Sequence, residues 1–454
     1  MHEVEPWVTW AAAGLLVAMV LSLALEEKLH AKKSVITGVF AVAALLLGTF
    51  ADILPFGAVT LPNGHEWEMP VYIPGVDWQV IAIILGSSLF IDVVSRSGIF
   101  SWSAITLTRV SGGDPLKLLG FYALLTVVFS AVLNNVTAMI IVGSLTGVSL
   151  ARLDRKDLLL GFLLTEGLLT NIGGLLTLIS SVPNIILGNK AGISFVSFFL
   201  VAGPYAVVAT LATLAMAVYF FGIKRLPEGD RATARSLVDS FDANDGIESR
   251  PFFKVSWALL GAFILTIATT SLIPGVNELG MGFVAMAFAM IAVIRYKHEV
   301  DQNYAALDWD LLFFFIFLFI VINVMEHALV LHELGAVIES LMSMGDLLGA
   351  GLLMVASALA SSVTDNVPLA AVMGSILEKQ GLPSDSHFWW ATIFGTNLGG
   401  NFTPIGSAST VVAVSIIHKM GLKMSFLDFV KKAFPFAVVH VLLALAYVLV
   451  FLRA

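Results

Sequence analysis

Long apolar runs, interrupted at intervals by short polar strings, set the pattern of this chain. Runs at about 7–25, 35–53, 78–96 and 194–222, and again at 253–273, 279–296, 308–330 and 427–452, have the length that carries a helix across about 30 Å of hydrocarbon. Four further runs are interrupted. Those at 116–150 and 348–378 read as a helix, a polar tip and a returning helix, and those at 157–187 and 386–417 as helices broken by a glycine-rich string. The expected fold is an all-α polytopic membrane protein with ten full crossings, eight continuous and two broken.

The interrupted runs come in matched pairs. TNLGGNFTPIGSAS at Thr396–Ser409 repeats TNIGGLLTLISSVP at Thr170–Pro183, and DNVPLAAVMGSI at Asp365–Ile376 repeats NNVTAMIIVGSL at Asn134–Leu145. Asp308-Trp309 follows Asp77-Trp78 by 231 positions, the tips are also 231 apart, and the glycine-rich breaks 226. The chain therefore reads as a first repeat over 1–222, a linker over 223–252 and a second repeat over 253–454. Five crossings per repeat is an odd number, so the second copy is expected to be inverted relative to the first, with one re-entrant hairpin and one broken helix in each.

Basic residues orient this layout. With the N-terminus outside, 21 of the 24 lysines and arginines fall in inner segments, and Lys190, Lys379 and Arg453 fall outside. Both ends of 116–150 then lie on the cytoplasmic side, as does the charged linker, which reads as a solvated connector. The expected location is a plasma membrane, of the prokaryotic inner-membrane kind, with lipid as a partner. Composition agrees, at 58% hydrophobic and 12% charged. A net charge of -8 argues against a nucleic-acid partner, and the absence of cysteine removes disulfides and thiolate metal sites. Neither HExxH nor GxSxG occurs, so the reading is not an enzyme.

A polar break inside a membrane survives only where it is buried in protein or lines a cavity. Asn134, Asn135 and Thr137 at the first tip, and Ser361, Thr364, Asp365 and Asn366 at the second, offer oxygens next to helix ends. In the breaks, Thr177, Ser181, Asn184, Asn401, Thr403, Ser407 and Ser409 add ligands, and Gly173, Gly174, Gly399, Gly400 and Gly406 permit close backbone approach. Oxygen-only sites suit sodium or a proton-bearing carboxylate, not a transition metal, so no cofactor is expected beyond a coupling ion, Na+ or H+. Close helix packing is the other reading of such small polar clusters. Three carboxylates are candidates for coupling: Asp365; Glu166, nine residues into its span; and Asp92, nearer the inner face, where a structural hydrogen bond is the other reading. No lysine or arginine falls at mid-depth in this layout to pair with them. His440 reads as a packed interhelical hydrogen bond, and His327 and His332, beside Glu326 and Glu333, as a solvated helix end.

SSVTDNVPL at Ser361–Leu369 resembles the second-hairpin pattern of the ion transporter superfamily, in its branch of arsenite permeases, NhaD-type sodium/proton antiporters and the animal P protein; GGNFTPIGSAS is similar to its second broken helix. Ser130 and Asn135 match the first-hairpin pattern, whereas Asn134 stands where the antiporters carry aspartate. The resemblance implies a homodimer in which a scaffold of outer spans holds a moving unit made of hairpins and broken helices. The function expected is sodium- or proton-coupled secondary transport by alternating access, with sodium/proton exchange ahead of transport of a small anion or metalloid such as arsenite or a carboxylate, and an ion channel behind both.

Overall fold

The computed structural model describes residues 4–55, 58–60, 64–68, 70 and 72–451. Arg453, assigned above to the outer side, falls beyond the described residues.

The first half runs α1 (Pro6–Ala24), α2 (Glu26–Leu29), α3 (Lys33–Phe50), α4 (Trp78–Ser95), α5 (Ile99–Ser111), α6 (Pro115–Val132), α7 (Asn135–Arg152), α8 (Leu159–Gly174), α9 (Val182–Lys190) and α10 (Phe195–Phe220). After α11 (Arg231–Asp239) the second half runs α12 (Arg250–Thr269), α13 (Val276–Val293), α14 (Val300–Ala305), α15 (Trp309–His327), α16 (Val330–Met342), α17 (Asp346–Val363), α18 (Asn366–Lys379), α19 (His387–Gly399), α20 (Ala408–Lys419) and α21 (Phe426–Phe451). A two-stranded antiparallel ribbon, β1 (Ala58–Thr60) and β2 (Glu66–Glu68), lies between α3 and α4. Among the described residues, eleven helices are long and apolar enough to cross a membrane. They are not the ten crossings read from the sequence: α6, α7 and α17, which flank the polar tips, qualify by length, and the halves of the broken runs do not.

Helix starts explain why the halves fold alike. An acceptor at the N-cap satisfies backbone N–H groups that the first turn leaves free. Asp77 takes the amides of Gln79 and Val80 at 3.1 Å, and Asp308, 231 residues later, takes that of Leu311 at 3.0 Å. Asn134 caps α7 through Thr137 N at 2.8 Å, and Asp365 caps α18 through Val367 N at 3.0 Å. α10 and α21 are each 26 residues long, with Pro204 and Pro435 at the tenth position of each.

The short helices α2, α5, α11, α14 and α16 were not expected. α5 and α16, each 13 residues, connect a long helix to a polar-tipped pair in either half. Their serines, threonines and charges make them too short and too polar to read as spans. The linker also differs from a solvated connector. Val238 and Phe241 are buried, α11 packs on α5, the Arg152 guanidinium lies 4.7 Å from the Phe241 ring, and Leu226 N donates to Asp114 Oδ2 at 3.2 Å. Its apolar side chains use the α5 surface as a docking site.

The long helices sort by packing into two groups. In the first, α4 packs on α13, α3 on α15, α1 on α3, and α12 on α13. In the second, α6 and α7 pack on α8, α17 on α19, α18 on α9, α20 on α7 and α8, and α10 and α21 cover α8 and α19. At the centre of the second group, α8 from Gly161 to Gly174 and α19 from Phe388 to Gly399 are buried on every face.

Candidate functional site

Where α8 and α19 end, the chain crosses seven or so residues without helix before α9 and α20 begin, and the two breaks meet. Asn171 Nδ2 donates to Asn401 Oδ1 at 2.8 Å and to Ser407 Oγ at 3.1 Å, while its Oδ1 accepts from Ser409 Oγ at 3.2 Å. Asn397, 226 residues on, makes the reciprocal contact: its Oδ1 accepts from Ser181 Oγ at 2.8 Å, and its Nδ2 donates to Asn184 Oδ1 at 2.8 Å. Asn171–Ser407 and Asn397–Ser181 pair the same repeated positions, with asparagine as donor in the first and serine as donor in the second.

Each tip is tied to a break in the same way. Ser130 Oγ donates to Thr170 O and Ser361 Oγ to Thr396 O, both at 2.6 Å. Thr177 Oγ1 donates to Ala131 O at 2.5 Å, and Thr403 Oγ1 to Ser362 O at 2.6 Å. A Cβ on Gly173 would lie 2.7 Å from Val127 O, and one on Gly399 2.3 Å from Ala358 O, so only glycine allows these helices to touch the tip arms. Gly174, Gly400 and Gly406 are crowded likewise, by Asn135, Ser407 and Gly400 respectively. The close approach at all five glycines is thus to neighbouring protein.

The candidate residues divide accordingly. Asn184, Asn401, Ser181 and Ser407 are buried, their side chains committed to the network, and Thr177, Ser361 and Thr403 hold tips to breaks. Asn135 donates to Asn171 Oδ1 at 3.4 Å, which joins the first tip to the network. Asn134 is exposed, Thr137 and Asp365 are half-buried, and Asn366 is buried beside Asp365. Asn134, Thr137 and Asp365 are thus the accessible ones among these tip groups.

Two of the three carboxylates, Asp365 and Asp92, pair with a basic group, in contrast to the sequence expectation. Lys33 Nζ, at the first residue of α3, donates to Asp365 Oδ2, while Asp365 Oδ1 caps α18. A lysine at a helix start reaches this tip because its long side chain extends the charge beyond its backbone position. Asp92 pairs with Arg96 Nη2 at 3.1 Å, one turn along α4. Glu166 is buried; Oε1 accepts from Thr146 Oγ1 at 2.6 Å and Oε2 has no hydrogen-bond partner. His440 is wholly buried between Asn401 Nδ2, 3.2 Å from Nδ1, and Thr213 Oγ1, 2.7 Å from Nε2. Since Asn401 donates, Nδ1 accepts and the ring proton sits on Nε2. Among the described residues, no group of three or more histidine, aspartate or glutamate side chains is placed to hold a metal.

Asn171, Asn397, Thr146 and Lys33 were missed as site residues. The two asparagines stand inside the repeated strings, 226 apart, where that spacing marks them. Lys33 carried no signal, because beside Lys32 it reads as one more loop lysine.

Residues 29–392 match the citrate transporter family. The chain belongs to it. A "46 kDa membrane protein" of Mycobacterium leprae (strain TN) is 30% identical over 82% of this chain and 86% of its own. The P protein of Homo sapiens is 24% identical over 97% of this chain, which spans 62% of that protein's length. The crystal structure of the Alcanivorax borkumensis YdaH transporter has a similar fold, with a TM-score of 0.61, covering 92% of this chain and 98% of that one at 14% identity. This is a membrane transporter of the ion transporter superfamily, secondary-active and ion- or anion-coupled, and not an enzyme.

Proposed function

We propose that the chain carries a small anion of the carboxylate or oxyanion class across the membrane, coupled to Na+ or H+, by alternating access. This reverses the order reached from the sequence, where sodium/proton exchange stood first because no basic group accompanied the carboxylates. The observation that carries the proposal is the Lys33–Asp365 pair: with Asp365 neutralised, the tips present no uncompensated negative charge. The N-termini of α7, α9, α18 and α20 all lie at the tips and breaks, and helix N-termini favour anions. The citrate transporter match points the same way. Sodium/proton exchange remains the second reading, favoured by the unpartnered Oε2 of buried Glu166.

The wider proposal is two inverted repeats of five crossings, 1–222 and 253–454, joined by a cytoplasmic linker, with the N-terminus outside and α6–α7 and α17–α18 as re-entrant hairpins. The reciprocal Asn171–Ser407 and Asn397–Ser181 contacts support it. The first helix group is the scaffold of a homodimer in a plasma membrane, and the second is the moving unit. Asp365 and Glu166 carry the coupling ion, and Asn134, Thr137 and Asn366 lie against the cargo.

The test is uptake of labelled citrate, then of other small carboxylates and arsenite, into proteoliposomes under an imposed sodium or proton gradient. Uptake that requires one gradient and is lost in Asp365→Asn is the expected result. A sodium-driven internal pH change without any anion added would replace this reading with sodium/proton exchange.

A further inference from the structure

The Lys33–Asp365 pair joins the two helix groups. Lys33 opens α3, which packs with α15 and α1, and Asp365 sits at the break between α17 and α18, which pack with α19 and α9. Both side chains are partly exposed, with 26% and 18% of their surface uncovered by protein. The charged groups facing the pair, among the described residues, are Glu26 of α2, 3.9 Å from Lys33 Nζ, and Asp310 of α15, which accepts from Ser34 Oγ at 2.5 Å. One oxygen of Asp365 is held by its own helix, through Val367 N, so Oδ2 is the atom left for a cation, and Lys33 occupies it.

We infer that Lys33 is a tethered competitor of the coupling cation: its ammonium holds the empty second hairpin against α3, and Na+ or H+ arriving at Asp365 Oδ2 displaces it and releases the hairpin unit from the scaffold. The inference rests on the reading of Asp365 as a coupling carboxylate.

The physical requirement it meets is specific. A carrier couples two fluxes only if its empty and loaded forms differ in their freedom to move, and a ligand shifts that equilibrium only through differential affinity for the two states. An ion pair between scaffold and moving unit that shares one oxygen with the coupling ion supplies such a difference. Lysine suits the role better than arginine. Its charge is compact and monodentate on a flexible stem, whereas a guanidinium would hold the carboxylate through a planar fork. The pair also fixes which state is seen. By the charge layout Lys33 lies at the cytoplasmic end of α3, so the hairpin is held on that side; in the opposite state the tip is parted from Lys33, and the pair exists in one state only.

Zero-length carbodiimide cross-linking tests this on the unmodified chain. Lys33 and Asp365 are joined directly if they touch, and digestion with mass spectrometry reads the linked peptides. At fixed pH and ionic strength, cross-linking that falls as sodium replaces choline identifies Na+ as the competitor. If sodium has no effect, the proton arm decides. Lys33→Gln removes the competitor, and half-maximal flux then moves to higher pH. In the sodium case the same variant lowers the apparent sodium KM by about tenfold, an ordinary coupling between two sites. Lys33→Arg, whose fork holds the carboxylate more firmly, is expected to raise the apparent sodium KM in the sodium case and to move half-maximal flux to lower pH in the proton case. A merely structural pair would lower the melting temperature of Lys33→Gln and leave both cation responses where they were, and that result, with cross-linking insensitive to sodium, overturns the inference. Asp365→Asn separates the two readings: parental coupled flux there removes Asp365 from coupling altogether, whereas lost flux there with an unshifted Lys33→Gln removes the competitor alone.

Discussion

Asn171 Nδ2 lies 3.1 Å from Ser407 Oγ, and the residues 226 positions from each, Asn397 and Ser181, meet at 2.8 Å. Neither contact is local, since the partners are 236 and 216 residues apart, and each bridges the first half of the chain to the second. Each joins the last turn of one helix, α8 or α19, to the N-cap serine that opens α20 or α9 in the other half. A break in a helix frees backbone groups, and inside a membrane their replacement partners have to come from protein. These asparagines bring the two breaks together, so that each shelters the other.

Removing one asparagine therefore leaves several buried groups unmatched. Asn171→Ala orphans Asn401 Oδ1 and takes one partner each from Ser407 Oγ and Ser409 Oγ, and Asn397→Ala orphans Asn184 Oδ1 and Ser181 Oγ. Each is expected to cost about 1–3 kcal/mol of stability. Thermal unfolding in detergent followed by intrinsic fluorescence is available without labelling, since the chain has nine tryptophans. The double variant is expected to lose less than the sum of the singles, because both cuts loosen the same junction between the two breaks. Strict additivity would mean that the two contacts stabilise separate sites.

Steric contact makes a sharper prediction at the glycines. Gly399→Ala places a methyl group 2.3 Å from Ala358 O, and Gly173→Ala one 2.7 Å from Val127 O, whereas Gly261 in α12 has nothing within 4 Å. The first two are expected to destabilise by about 1–3 kcal/mol, as overpacking does, and to slow transport because the tip arm is pushed away from its break. Gly261→Ala is expected to be neutral or slightly stabilising, since alanine favours a helix over glycine. Equal melting temperatures for all three variants would contradict the contacts.

Much of this arrangement is legible in the string, and the remainder is hidden for definable reasons. Helix starts, polar tips and breaks follow from local chemistry, because a cap such as Asp77 or Asn134 acts on amides two or three residues away. The duplication supplies what local chemistry lacks: a second copy shows which polar strings matter. What it cannot supply is a contact without a counterpart. Lys33 reaches Asp365 across 332 residues, and nothing within either repeat marks that partnership. α5 and α16 escaped for another reason, as short helices at a polar boundary have neither the length of a span nor the glycine and proline content of a turn. The hydroxyl and amide candidates were identified as a set, but which of them hold protein and which remain accessible depends on burial.

Glu166 separates a proton carrier from a hydrogen-bond acceptor. Its Oε1 takes the Thr146 hydroxyl at 2.6 Å while Oε2 has no partner, in a side chain 1% exposed. Glutamine preserves shape and the Thr146 contact but cannot exchange a proton. Glu166→Gln is expected to melt within about 1 kcal/mol of the parent, since one acceptor is replaced by another. Proton-coupled flux is expected to fall by about tenfold or more, a barrier increase of about 1.4 kcal/mol. Unchanged flux, with Thr146→Val showing only a stability loss, would assign Glu166 to structure.

Asn134 offers the converse experiment, in which a charge is added. Its Oδ1 caps α7 through Thr137 N at 2.8 Å and its side chain is exposed, so Asn134→Asp is expected to keep the cap, aspartate and asparagine being comparable at that position. The fold should therefore melt within about 0.5 kcal/mol of the parent, the size of an ordinary surface change. What changes is the electrostatics of the first tip, which now carries a carboxylate as the second tip does, but with no lysine among the described residues paired to that tip. An anion approaching the α7 N-terminus meets like charge, and a cation finds a second carboxylate. Anion uptake in proteoliposomes is expected to weaken in KM and to move its pH optimum downward, since acid restores a neutral tip, while sodium-dependent proton movement is expected to appear or strengthen. Parental anion KM and an unmoved pH profile in a well-folded Asn134→Asp would place the cargo away from the first tip.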